Sequence, residues 1–245
     1  MDYVCRKVRL KPGERVVETG CGWGALARHM TRRYGVSVTA YNISREQVAE
    51  ANRRAKAEGL EGQVIYVEDD YRNIRGEFDV FVSVGMLEHV GKAHYGKLGR
   101  AIDRSLTETG RGLIHSIGQN EPYPMNAWTE RRIFPGAYPP TVREMMDVLE
   151  PPGFSILDVE NLRLHCALTL RHWLARFEQH ADEVHEMFHE TFVRAWRLYL
   201  SPSVANFSTG ALQLFQVVFA RPQRNEIPWT RKRLYTEQDE EIRSS

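Results

Sequence analysis

Apolar positions along the chain fall into two rhythms. Short dense runs occur at Val16-Val17, Val36 to Tyr41, Val64 to Val67, Phe78 to Val84, Gly112 to Ser116, Phe154 to Val159 and Leu212 to Ala220. Runs of that length, rich in β-branched and aromatic residues, predict strands. Phe78 to Val84 is almost continuously apolar, as expected of a central parallel strand covered on both faces. Between the runs lie stretches with a helical period: 2–10, 25–34, 44–58, 95–106 and 165–200. In the second, positions 26, 27, 30 and 34 share one side. Ser44 with Gln47, and Thr141 with Glu144, have the spacing of capping boxes. Strands alternating with helices predict an α/β fold, a seven-stranded doubly wound sheet with helices on both faces. One domain over 1–220 is expected. It would carry a proline-rich lid over 119–140, a helical insertion over 165–200, and a solvated tail over 221–245.

Composition narrows the setting. The 245 residues are 42% hydrophobic and 27% charged, ordinary for a globular chain that buries a full core. A formal net charge of +1 argues against a nucleic-acid partner. Cys5, Cys21 and Cys166 are too few and scattered for a disulfide framework, so a reducing compartment is expected. No opening run resembles a signal peptide, and no segment has the roughly 18 apolar residues of a spanning helix. The expected location is cytoplasmic, peripheral to the inner face of a membrane. Asn42-Ile43-Ser44 and Asn206-Phe207-Ser208 match the glycosylation triplet, which is idle without secretion.

The first strand runs into Glu18-Thr19-Gly20-Cys21-Gly22-Trp23-Gly24, followed directly by a helix. Glycines in a strand–turn–helix unit let the backbone approach a polar ligand, though a tight turn alone would also use them. In doubly wound sheets ligands sit beyond the carboxyl ends of the strands. Those ends carry Glu18 to Gly24, Tyr41-Asn42, Asp70-Tyr71, Gly85 to Gly91 and His115 to Gly118. A dinucleotide site is disfavoured. The second strand ends in Tyr41-Asn42 rather than an acid, and the glycine spacing is G-x-G-x-G. His185-Glu186-Met187-Phe188-His189 matches the H-E-x-x-H zinc motif and, on a helix, would put both histidines on one face. No third ligand follows soon after, so a charged helix face is the favoured reading and no metal is expected. Arg231-Lys232-Arg233 could attract anionic headgroups, but reads first as part of a charged tail with Glu237, Asp239, Glu240 and Glu241.

Several segments together resemble the cyclopropane-fatty-acyl-phospholipid synthase family. They are Glu18 to Gly24, Ile43 to Gln47, Asp70-Tyr71-Arg72, Ser83 to Gly91, His115 to Gly118, Ile133 to Gly136 and Gln213 to Phe219. The resemblance implies the class I fold of methyltransferases that use S-adenosylmethionine (SAM). It places Glu18, Gly20, Cys21, Gly22 and Gly24 at the cofactor turn, Tyr41, Asn42 and Gln47 near its ribose, and Asp70 and Tyr71 near its adenine. It implies transfer of a methylene unit to a cis double bond of an unsaturated phospholipid at a membrane surface, with a homodimer left open. A bound bicarbonate serves the family as base. Glu88, His115 and Ile117 match its cradle. Lid and helix aromatics, among them Tyr123, Trp128, Phe134, Tyr138, Trp173, Phe177 and Trp196, could line an acyl tunnel.

Two departures touch that cradle. Family members carry a segment ahead of residue 1 that helps cover the cofactor. The chain starts after it, so a more open pocket with weaker SAM binding is expected. The family's tyrosine in the segment matching 164–168 is Cys166 here, a small thiol where a phenol would hold bicarbonate; His165 is the candidate substitute. Two further readings stay open: methyl transfer to a small amine, as in plant alkaloid N-methyltransferases of similar pattern, and a SAM-binding remnant without turnover.

Overall fold

The computed structural model describes residues 1–235. Seven strands form one sheet: β1 (Arg15–Thr19), β2 (Ser37–Asn42), β3 (Val64–Glu68), β4 (Phe78–Val84), β5 (Leu106–Gly118), β6 (Ser155–Asn161) and β7 (Gln213–Ala220). Their order is β3-β2-β1-β4-β5-β7-β6. The first five pair in parallel, and β7 lies antiparallel between β5 and β6. The chain reverses its direction of winding between β1 and β4, the switch point where such sheets bind ligands.

Alternation along the strands builds two cores. Val16, Val38, Val80, Val82, Leu113 and Val218 face α1 (Asp2–Lys7), α2 (Ala25–Tyr34) and α3 (Arg45–Ala57). Val17, Phe81, Ile114, Val217 and Phe219 face α4 (Leu87–Val90), α5 (Tyr95–Ser105) and α7 (Val142–Leu149). Side chains of successive strand residues point to opposite faces, so runs such as Val80-Phe81-Val82 fill both. A third cluster sits at one end, where α8 (Arg163–Gln179) and α9 (Ala181–Thr209) cover Leu214 and Ile117.

Several sequence expectations change. The segment 119–140 contains a short helix, α6 (Ala127–Arg132), capped by the Asn126 side chain. The fifth strand begins at Leu106, not Gly112; its polar first half conceals it. The helical insertion is two helices reaching Thr209, with Pro202 inside the second. Thr141 and Glu144 form a full capping box, but Ser44 and Gln47 form half of one. Ser44 Oγ accepts from the Gln47 N–H, whereas the Gln47 side chain accepts from Asn42 instead, at 2.7 Å. The segment 221–235 is mostly exposed, as expected of a solvated tail, but it is anchored to the domain. Leu234 is buried, Arg224 donates to the Thr109 carbonyl, and Arg231 pairs with Asp158. Glu237, Asp239, Glu240 and Glu241 lie outside the described residues. His189 has φ 71° and ψ 162°. The helix breaks there, so His185 and His189 do not share a regular helix face, and no metal-holding cluster occurs among the described residues. Nor is any described helix long and apolar enough to cross a membrane.

Candidate active site

The turn after β1 uses its glycines for different reasons. Gly24, with φ 75°, caps α2. A Cβ there would lie 2.4 Å from the Tyr66 hydroxyl, which donates to the Gly24 carbonyl at 2.7 Å. Gly24 is therefore required by packing against β3. Gly22, with φ 52°, would point a Cβ into open space. Gly20 is closed in by Met86, whose Cβ would sit 2.9 Å away. The N–H groups of Gly20 and Cys21 both donate to the Tyr41 carbonyl, which joins the turn to the end of β2.

Beyond the carboxyl ends of these strands lies a cavity of about 500 Å³. It is lined by seven of the expected cofactor residues: Gly20, Gly22, Tyr41, Asn42, Gln47, Asp70 and Tyr71. Asn42 holds Gln47 at 2.7 Å and the Gly22 carbonyl at 3.3 Å, so turn, strand end and helix start are tied together. Both Asp70 oxygens accept from the Arg72 guanidinium at 2.8 Å. That pairing holds the carboxyl below its usual range. Oδ1 also accepts from the Arg72 backbone N–H at 2.8 Å, so Oδ2 is the oxygen that keeps a lone pair for a ligand amino group.

Three expected residues do not line the cavity. Gly24 is turned toward Tyr66. The Cys21 thiol is buried and pushed up to about 12, which leaves it inert as a nucleophile. Glu18 is 2% exposed and one of its oxygens has no hydrogen-bond partner. Burial pushes its carboxyl up to about 8, against the lowering effects of the Ala27 N–H and Arg28.

The expected catalytic residues Glu88, His115, Ile117 and Cys166 do not line this cavity; Glu88 lies in the chain between its lining residues Met86 and His89. Glu88, on α4, is buried, and its Oε1 accepts from the Ile117 N–H at 2.5 Å. Its Oε2 has no partner. Burial raises its pKa, partly offset by its own backbone N–H and that of Ile117, while the Ser116 hydroxyl donates to the Ile117 carbonyl. The Glu88 carbonyl accepts from the Tyr138 N–H at 2.8 Å, which fastens the lid to α4. His115 lies one strand over, and its carbonyl accepts from Gly85 N–H at the root of α4. Burial, then the positive charges of Lys7 and the amino terminus, push the imidazole down to about 4. Cys166 packs against the α8–α9 cluster that also takes Ile117 and Tyr199. Burial pushes its thiol up to about 11. His165 is exposed.

Sequence reading missed Met86, His89, Arg72 and Ile43 as cavity residues. All four stood inside the segments that carried the resemblance, but their directions depend on turns that spacing alone does not fix. His89 joins the cavity to a ladder of rings. Successive centroids are 5.9 Å apart for His89–Phe134, 5.7 Å for Phe134–Tyr199, 5.2 Å for Tyr199–Trp196, 5.8 Å for Trp196–Phe192 and 4.6 Å for Phe192–Phe188. The outer end is open to solvent, with Phe188 and Met187 exposed.

A sheet of this order, with a glycine turn and cavity at its switch point, defines the class I fold of SAM-dependent methyltransferases. A solved mycolic acid cyclopropane synthase CmaA1, complexed with SAH and CTAB, superposes with a TM-score of 0.84 at 23% identity, over 89% of this chain and 82% of that one. The family model for mycolic acid cyclopropane synthetase matches residues 1–217, and the chain belongs to that family. It is 38% identical to the cyclopropane-fatty-acyl-phospholipid synthase of Escherichia coli, over 92% of this chain and 58% of that protein. It is 33% identical to the tuberculostearic acid methyltransferase UfaA1 of Mycobacterium tuberculosis, over 86% of this chain and 51% of that protein. The chain thus spans 44–62% of the length of the curated relatives it matches.

Proposed function

We propose that the chain methylates lipids with SAM, and that its reaction is methylene transfer to a cis double bond of an unsaturated phospholipid acyl chain, closing a cyclopropane. The observation that carries this reading is the Glu88 carboxylate: buried, anchored through one oxygen to Ile117, and left with the other unpartnered, on a turn of chain whose Met86, His89 and Val90 line the cavity. A buried acceptor without a partner calls for a donor from a ligand.

The cavity fits the cofactor. Gly22 leaves room for the amino-acid portion, Asn42 and Gln47 offer polar groups for the ribose, and Asp70 with Tyr71 offers an acceptor and a ring face for adenine. When bound, SAM supplies an electrophilic methyl group. An alkene is a weak nucleophile, so the residues must hold it in line and close. The ladder from Phe188 to His89 offers a row of rings of the kind an acyl chain lies along. Its ring faces stabilise positive charge that develops on the alkene carbons. The lid, fastened through Tyr138 to the Glu88 carbonyl, keeps water from that charge.

Loss of a proton from the added carbon then closes the ring. Bicarbonate suits the place of base. Glu88 Oε2 would accept its hydroxyl, and neutral His115 would donate to it. The Ile117 N–H is spent on Glu88, and Cys166 offers a thiol where a phenol was expected. The cradle therefore rests on Glu88 and His115.

Small-amine methylation is the second reading. A buried carboxylate and imidazole could orient an amine, but the ladder of rings favours an acyl chain. The test is incubation of the chain with SAM and vesicles of mono-unsaturated phosphatidylethanolamine, followed by mass analysis of acyl chains and headgroups. A gain of one CH₂ on the acyl chain, with loss of the double bond, supports the proposal. A gain confined to the headgroup amine supports the second reading.

A further inference from the structure

His115 and Gln216 stand directly opposite each other in the antiparallel β5–β7 ladder. The register puts both side chains on one face of the sheet, and Gln216 Nε2 lies 3.0 Å from His115 Nδ1. Gln216 is 3% exposed. Its Oε1 has no hydrogen-bond partner, and the amide nitrogen is the end that faces the ring. On its other side Gln216 is in register with Glu160 of β6. That carboxylate is already taken by the Tyr3 hydroxyl and the Lys7 ammonium, which leaves the amide to the ring.

An amide NH₂ only donates. The ring nitrogen that faces it is therefore bare, and the proton of a neutral imidazole sits on the other nitrogen. Burial and the nearby positive charges of Lys7 and the amino terminus keep the ring neutral near pH 7.

We propose that Gln216 is a positioning residue that holds His115 in its Nε2–H tautomer, so that His115 meets the ligand as a hydrogen-bond donor and not as a base. The proposal deepens the function proposed above and rests on its reading of His115 as a donor. It has a chemical consequence. With Nδ1 spent on Gln216 and Nε2 carrying the proton, His115 cannot take the proton released on ring closure. A separate base is then obligatory, and its negative charge would face the Nε2–H.

The test is a long-range ¹H–¹⁵N correlation spectrum of the ¹⁵N-histidine-labelled chain at pH 7, with His115→Gln to assign the resonance. The expected result is a pyridine-like shift on Nδ1 and a pyrrole-like shift on Nε2. In Gln216→Glu the new carboxylate only accepts, so the proton should move to Nδ1 and the ring should titrate at higher pH. In Gln216→Leu the two tautomers should mix. Turnover on unsaturated phospholipid in Gln216→Glu should fall roughly 100-fold, with affinity for SAM unchanged. A wild-type ring protonated on Nδ1, or a tautomer unaltered in a folded Gln216→Glu, overturns the proposal. If Gln216→Glu does not fold, the wild-type spectrum decides alone. Because the spectrum needs no turnover, an Nε2–H ring in a chain that makes no cyclopropane would sink the proposed function and leave this assignment standing.

Discussion

The Glu88 carboxylate and the Ile117 N–H meet at 2.5 Å, which ties the helix after β4 to the end of β5. The same carboxylate keeps its second oxygen unpartnered. One acid thus fixes the local backbone and presents an acceptor to whatever binds beside it.

Glu88→Gln separates those roles. The amide oxygen still accepts from Ile117, but the other position becomes a donor. The buried group also loses its capacity for charge, so the melting temperature should hold or rise. Turnover should fall about 10²–10³-fold. Thermal melts and product yield on the same preparation check both.

The glycine turn predicts two unlike defects. Gly24→Ala drives a methyl into the Tyr66 phenol and should cost about 1–3 kcal/mol of stability. Gly22→Ala meets no atom; it should cost about 1–2 kcal/mol of backbone strain and weaken SAM binding by narrowing the cavity. Calorimetric titration with SAM beside urea unfolding distinguishes the two.

Glu18 makes stability depend on pH. Its folded pKa, pushed up to about 8 from 4.5, means the folded chain binds more protons than the unfolded one between those values. Its contribution therefore destabilises progressively as pH rises through that window, by an amount on the order of a few kcal/mol. His115, lowered to about 4 from 6.5, acts in the opposite sense between pH 4 and 6.5. Above pH 6.5 the His115 contribution no longer changes, and comparison with Glu18→Gln cancels the other titrating groups. Between pH 6.5 and 8.5 the urea midpoint of the wild type should fall more than that of Glu18→Gln. Parallel slopes would remove Glu18 from the account.

Phe134 bridges His89 and Tyr199 in the ring ladder. Phe134→Ala should raise KM for a long-chain unsaturated lipid by about tenfold, the equivalent of roughly 1.4 kcal/mol, and leave SAM affinity alone. Initial rates over a range of vesicle concentrations check it.

Much of this architecture was legible from the chain. Strands such as Phe78–Val84 announce themselves because both their faces are buried. The first half of β5 does not, because Thr107, Glu108 and Thr109 look like a loop, and its last residue, Arg111, is a charge. Arg111 is buried only because Glu14 and the carbonyls of Val8 and Arg9 surround its guanidinium. Such long-range compensation leaves no local pattern. The break at His189 likewise escapes periodicity. In the site, Gly22 stands out by its turn pattern and the resemblance points to Asn42 and Asp70; all three line the cavity. Gln216 was not found as the partner of His115, since that pairing depends on a strand register joining residues 101 apart in sequence.

The most direct measurement uses SAM with a fully deuterated methyl group and vesicles of mono-unsaturated phospholipid. Ring closure removes one hydrogen from the transferred carbon, so the account predicts an acyl product that keeps two of the three deuteriums and has lost its double bond. An acyl product that keeps all three is a methyl branch, and label found only on the headgroup amine is N-methylation. Either result contradicts the account.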